Sequence, residues 1–307
     1  MKKCLIALAI LWGVALIATM SLAGYVGTSV LKDVVQDNFS LFKDGSFLGE
    51  TGSTLIKESN LVKENSYNLP VQNGLPLAID VDMADVNILK STDGQAKVVV
   101  KEYSKNKDTY QTVHNISIGL NETVPTIKCT LDTSENGYST DKMKNYVVLN
   151  IYLPENIGLN NLDMVADFAS FDISTDLKCA NLKLTSNFSN FNFSNVTVEN
   201  SAKIDADYSN IEFNKLSADN LTSNFSFSNA KFGSETAFVS KADLSGSFST
   251  ITMKLERSQS GYTVNVSQDS NADIDDDFEK ESNNLYKLND GKCIVSANLD
   301  MSTLEIK

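Results

Sequence analysis

The stretch from Asn161 to Met253 repeats itself, and that repetition constrains the fold more than any other feature of the chain. In Leu182-Lys-Leu-Thr-Ser-Asn-Phe-Ser-Asn-Phe-Asn-Phe193, counted from Leu182, the apolar residues fall at offsets 0, 2, 6, 9 and 11. The same five positions recur as Leu162/Met164/Phe168/Phe171/Ile173, Ala202/Ile204/Tyr208/Ile211/Phe213, Leu221/Ser223/Phe227/Ala230/Phe232 and Ala242/Leu244/Phe248/Ile251/Met253. Successive copies start 20, 20, 19 and 21 residues apart. A further copy precedes them at Leu77/Ile79/Met83/Val86/Ile88, and another follows at Val295/Ala297/Met301/Leu304/Ile306.

Alternation such as Leu182-Lys-Leu and Phe191-Asn-Phe has a period of two, which is the period of a strand. A unit of about 20 residues is too short to bury its own apolar face, so it must stack on its neighbours. The expected fold is therefore all-β: a single-stranded, β-helix-like solenoid of ~20-residue coils with like residues about 4.8 Å apart along the stack. Two interior ladders are expected, one of Phe168, Phe188, Tyr208, Phe227 and Phe248, the other of Ile173, Phe193, Phe213, Phe232 and Met253. The small or polar pairs between the Phe-x-x-Phe positions, such as Ser189-Asn190 and Ser209-Asn210, are expected to form the corner, because Asn accepts left-handed backbone angles. Asn190, Asn210 and Asn229 would then stack and bond to one another.

At the N-terminus, Met1–Lys3 supply a positive end, and residues 4–27 are apolar or small, long enough to cross a bilayer. This reads as a transmembrane signal-anchor helix, with cleavage after Ser21-Leu22-Ala23 as the alternative. Lys2 and Lys3 on the inner side would leave the bulk of the chain extracytoplasmic, tethered to the cell membrane by a single pass; cleavage would instead release it as a secreted protein. Residues 28–75, broken by glycines and Pro70, read as a stalk, and 76–307 as the solenoid ectodomain, with the regular repeats at 161–253. Strands are expected over 98–100, 116–120, 126–131 and 147–153, two of them joined by a loop holding Asn136-Gly137. A hairpin is expected in Leu285–Val295 around Asp290-Gly291, and the last copy is expected to close the stack.

Composition narrows the chemistry. A formal net charge of −13 argues against nucleic acid, which needs a basic stripe. Arg257 is the single arginine and His114 the single histidine, so neither multi-arginine anion clamps nor multi-histidine metal sites are available. His114, beside Asn115, reads as a surface strand residue. Trp12, in the apolar segment, is the only tryptophan. Cys129, Cys179 and Cys293 are far apart in sequence, form no C-x-x-C pair, and read as buried small hydrophobes, with one disulfide as the alternative.

No catalytic or cofactor-binding residue is assigned. One metal candidate exists: Asp269, Asn271, Asp273, Asp275 and Asp277 place oxygens at alternate positions, as at the start of a calcium loop. Ile274 stands where such a loop needs glycine, and Lys280 where it needs a bidentate Glu, so a solvated acidic loop competes with calcium binding. Asp167, Asn187 and Asp207 share one offset and would form an outward polar ladder.

The apolar N-terminal segment, the strand Leu-Ala-Ile-Asp-Val-Asp-Met-Ala-Asp-Val-Asn-Ile from Leu77, and repeats such as Ser-Asn-Phe-Ser-Asn-Phe-Asn-Phe and Ala-Asp-Tyr-Ser-Asn-Ile-Glu-Phe together resemble a known group. Residues 75–307 are similar to the bacterial putative-adhesin family, a domain-of-unknown-function family of repeat-built β-solenoid envelope proteins. The resemblance implies a surface or envelope location and a role in adhesion or envelope-stress sensing; the leading reading is a non-enzymatic interaction protein with envelope proteins or a cell-surface ligand as partners. It supplies no active-site residues. A membrane-tethered sensor of envelope stress and a polysaccharide-active β-helix enzyme are the competing readings.

Overall fold

The computed structural model describes residues 60–104, 110, 114–121, 123–131, 145–257, 261–267 and 271–307. Among them the chain is all-β, with 20 strands and no helix, hydrogen-bonded into one open sheet. None of the described residues forms a helix able to cross a membrane; the segment 4–27, most of the stretch assigned to the stalk, and the Asn136-Gly137 loop lie outside them. The N-terminal part comprises β1 (Asn60–Asn68), β2 (Leu77–Asp82), β3 (Asp85–Lys90), β4 (Lys97–Ser104), β5 (His114–Asn121), β6 (Val124–Leu131) and β7 (Asn145–Leu153). The repeats form β8 (Gly158–Asp167), β9 (Ser170–Ile173), β10 (Leu177–Asn187), β11 (Asn190–Asp207), β12 (Asn210–Ser226), β13 (Asn229–Ser247) and β14 (Thr250–Leu255). The C-terminal part holds β15 (Tyr262–Val266), β16 (Asn271–Ile274), β17 (Glu279–Ser282), β18 (Leu285–Leu288), β19 (Cys293–Asp300) and β20 (Thr303–Ile306).

The repeat spacing is the hydrogen-bond register. Leu162 pairs with Leu182, Leu182 with Ala202, Ala202 with Leu221 and Leu221 with Ala242, all in parallel. A slip of one residue would turn every apolar side chain to solvent, so the pattern locks the register. Each turn of the chain contributes three straight runs, for example Leu162–Asp167, Ser170–Ile173 and Leu177–Cys179, which pair with the equivalent runs of the next turn. Phe193, Phe213 and Phe232 lie inside with no exposed surface, their rings stacked at 4.4 and 5.5 Å. Ile173 and Met253 complete that ladder, and each buried side chain of this kind contributes about 1.5–3 kcal/mol. Cys129, Cys179 and Cys293 are buried free thiols, and burial pushes them up to about 12, 12 and 11.

Both ends depart from simple succession. β2–β3 is the first turn in sequence, yet it sits between β6/β7 on one side and β8/β9 on the other. Antiparallel β5 then covers β6, antiparallel β4 covers β7, and β1 adds antiparallel to the outer edge of β4. β1 thus joins the sheet from within the stretch read as stalk, with Lys63 3.1 Å from the buried carboxylate of Glu102. At the other end β19–β20 is inserted between β13/β14 and β15/β16. The last copy therefore does not close the stack; β15 and β16 lie beyond it. The hairpin expected over Leu285–Val295 is also corrected, because β15 lies between β18 and β19, and β18 makes its hairpin with β17 instead.

Candidate functional site

The largest departure from expectation lies at the corner. Phe168, Phe188, Tyr208, Phe227 and Phe248 are not an interior ladder. All five have positive φ, between 46° and 52°, and so do Met83 and Met301 at the two ends of the row. A left-handed residue reverses the alternation of a strand. Leu162, Met164 and Ala166 point inward, Phe168 is turned outward, and Ala169, Phe171 and Ile173 point inward on the opposite phase. Tyr208, Phe227 and Phe248 are 47%, 41% and 50% exposed.

The rings stack face to face along the outside of the coil. Successive centroids are 4.9, 4.7, 4.9 and 4.9 Å apart, with interplanar angles of 1–4°. The rings are parallel and offset, so the inner members of the row have both faces against neighbouring rings. A bulky residue in left-handed conformation costs about 1–2 kcal/mol, and stacking returns about 0.5–1.5 kcal/mol per pair.

The backbone at the corner is held by a second ladder that the sequence displays in plain periodicity. Ser189, Ser209, Ser228, Ser249 and Ser302 follow the left-handed residues and are buried. Each hydroxyl donates to the carbonyl two residues earlier, as Ser209 Oγ does to Asp207 at 2.8 Å. Each also accepts the backbone N–H of the preceding rung: Ser189 Oγ from Ala169, Ser209 Oγ from Ser189, Ser228 Oγ from Ser209, Ser249 Oγ from Ser228 and Ser302 Oγ from Ser249, at 2.9–3.1 Å. The N–H groups that a bend removes from the sheet are thereby satisfied.

Beyond the corner, a shallow concavity of about 620 Å³ crosses the rungs from Ser170 to Thr250. Its floor carries Asn190, Asn210 and Asn229, whose amides bond along the stack as expected: Asn210 Nδ2 donates to Asn190 Oδ1 at 2.9 Å, and Asn229 Nδ2 to Asn210 Oδ1 at 3.0 Å. Asp172, Asn192, Glu212 and Lys231 stand further along, with Lys231 paired to Glu212. On the other side of the aromatic row, Asn187 Nδ2 donates to Asp167 Oδ1 at 2.9 Å, and burial raises Asp167 from its ordinary value.

The acidic candidates for calcium are distributed rather than gathered. Asp269 lies outside the described residues. Asn271 and Asp273 stand on the extended strand β16, about 7 Å apart along it. Asp275 and Asp277 are both taken by Arg257, the former at 3.0 Å, and the guanidinium holds Asp275 below its ordinary range. His114 is a correction to the surface reading: it is buried, its Nε2 lies 3.1 Å from the Met83 carbonyl, and loss of solvent lowers it to about 4. Nearby in sequence, Asp85 accepts from Tyr146 Oη, and burial raises its carboxyl to about 6.

No family model and no curated relative matches the chain. Among solved structures it is similar to a putative cell adhesion protein from Clostridium sporogenes ATCC 15579, with 14% identity, a TM-score of 0.30, and coverage of 80% of this chain and 98% of that one. A putative adhesin from Bacteroides fragilis NCTC 9343 gives 10% identity, a TM-score of 0.37, and coverage of 80% and 97%. A putative lipid binding protein from Parabacteroides distasonis ATCC 8503 gives 12% identity, a TM-score of 0.37, and coverage of 80% and 97%. Putative adhesins from Parabacteroides distasonis ATCC 8503 and Parabacteroides merdae ATCC 43184 likewise match over 80% of this chain, with 12% and 15% identity and TM-scores of 0.34 and 0.36.

Proposed function

We propose that the chain is a non-enzymatic, adhesin-like binding protein of the cell envelope: a β-solenoid tethered to the membrane by residues 4–27, with its outer face turned to a surface ligand or an envelope protein. The observation that carries this reading is the outward row Phe168–Phe248. Five aromatic rings are held at strained backbone positions that Gly or Asn would occupy more readily, three of them exposed (Tyr208, Phe227 and Phe248) and two half-buried, and a contiguous outward apolar stripe of that kind marks an interaction surface. The scarce catalytic side chains are otherwise engaged, His114 in the interior and Arg257 with Asp275 and Asp277.

The test is adhesion of the purified full chain to isolated cell envelopes, compared with the double variant Tyr208→Asn/Phe227→Asn. Retention of the natural chain and at least tenfold weaker retention of the folded variant is the expected result. Equal retention of both would remove the aromatic row from the function.

A further inference from the structure

We infer that the concavity beside the aromatic row is a binding groove for a neutral, linear, hydroxyl-rich polymer, a glycan chain lying across the rungs. This deepens the surface-binding reading above and rests on it.

The shape is that of a trough. Its floor runs from Ser170 through Asn190, Asn210 and Asn229 to Thr250. That is four inter-strand steps, or about 19 Å. Asp172, Asn192, Glu212, Lys231 and Thr252, two residues on in each turn, line it alongside that row. An elongated ligand meets the same chemistry at every step, whereas a compact one would use a single rung.

The floor selects hydroxyls. Each Asn amide carries two N–H groups and a carbonyl with two lone pairs. The ladder bonds between Asn190, Asn210 and Asn229 use one hydrogen of each donor and one lone pair of each acceptor. What is left is a row of donors and acceptors repeated about every 4.8 Å, suited to groups that both give and take hydrogen bonds. The ladder bonds also fix the amides before a ligand arrives, which lowers the entropic cost of binding.

Charge excludes the anionic alternatives. Within the groove Lys231 is committed to Glu212, leaving Asp172 as the uncompensated charge. Asp167 and Asp207 line the far side of the aromatic row, and the chain as a whole carries −13. A polyanion would be repelled from every side, while a neutral chain would not.

The experiment places the purified full chain on an array of neutral linear oligosaccharides, neutral branched oligosaccharides and anionic polysaccharides. Retention by neutral linear chains is expected to rise with length up to the groove's span. Asn210→Leu and the exposed Asn192→Ala should each weaken it about tenfold, with strand content by circular dichroism unchanged for Asn192→Ala. Glu199→Ala, on the third face of the coil, should leave it unaltered. Binding to anionic polymers alone, binding to no neutral linear chain, or indifference to Asn192→Ala would overturn the inference. If envelope adhesion then still depended on Tyr208 and Phe227, the glycan assignment alone would fall; if that dependence were also missing, the broader reading would fall with it.

Discussion

Replacing Phe227 by Asn separates an outward ladder from a core. In the structure Phe227 is 41% exposed and stacks on Tyr208 and Phe248 at 4.9 Å each. Removing the ring loses roughly 100 Å² of buried apolar area, or about 2.5 kcal/mol at ~25 cal/mol per Å². Against this, Asn tolerates the left-handed backbone that Phe does not, which recovers about 1 kcal/mol. The net cost should be about 1–2 kcal/mol. Phe213, fully buried between Phe193 and Phe232, has no strain to release, and Phe213→Ala should cost about 3–5 kcal/mol. Urea unfolding of the natural chain and both variants at one pH, with midpoints and slopes compared, reads the difference. Equal losses for the two variants would mean that Phe227 is packed as core, and the outward assignment would be wrong.

Other outcomes follow from single contacts. Ser209→Ala leaves the N–H of Ser189 buried without its acceptor and should destabilise by about 1–3 kcal/mol in the same assay. Gly233→Ala places a methyl group 2.4 Å from the Asn214 carbonyl oxygen, a clash with backbone, and should lower the unfolding midpoint by about as much or prevent folding. Asp85 binds its proton more tightly folded than unfolded, so its contribution to stability declines as pH rises from about 4 to about 6 and then stays constant. Asp85→Asn, which keeps an acceptor for Tyr146, should therefore gain roughly 2 kcal/mol on the natural chain between pH 4 and pH 7, read from paired urea titrations. Cys129, Cys179 and Cys293 should resist maleimide in the native chain and label on unfolding, with mass spectrometry counting the adducts.

The sequence carried the register because a period near 20 with strand alternation has one parallel stacking that keeps Leu162, Leu182 and Ala202 together. It did not carry the direction of Phe168 and its equivalents. Their offset of 6 keeps the even phase of offsets 0 and 2, and nothing in the residue type warns that the backbone turns left-handed there, since the preference at such a position is for Gly or Asn. The serine that follows was the available signal: a small hydroxyl residue at one offset, turn after turn, marks a bend whose N–H groups need acceptors. The positions of the end turns were illegible for a different reason. Leu77–Ile88 and Val295–Ile306 carry the full repeat, but which strand they pair with on their outer side is decided by tertiary packing of β6, β7, β15 and β16. His114 was misread because its polar sequence neighbours do not report that the turn at Met83 covers it. In the groove, the Asn ladder was legible from spacing, whereas the trough it floors depends on the corner and was not.

The claim on which the functional account stands is that the aromatic row faces water, and a single fluorophore tests it most directly. With Trp12 replaced by Phe, Phe248→Trp puts the only indole at a ring position that is 50% exposed. Emission near that of a solvated indole and ready quenching by acrylamide are the expected results. A blue-shifted emission protected from acrylamide in the folded chain would place the row in the interior and contradict the account.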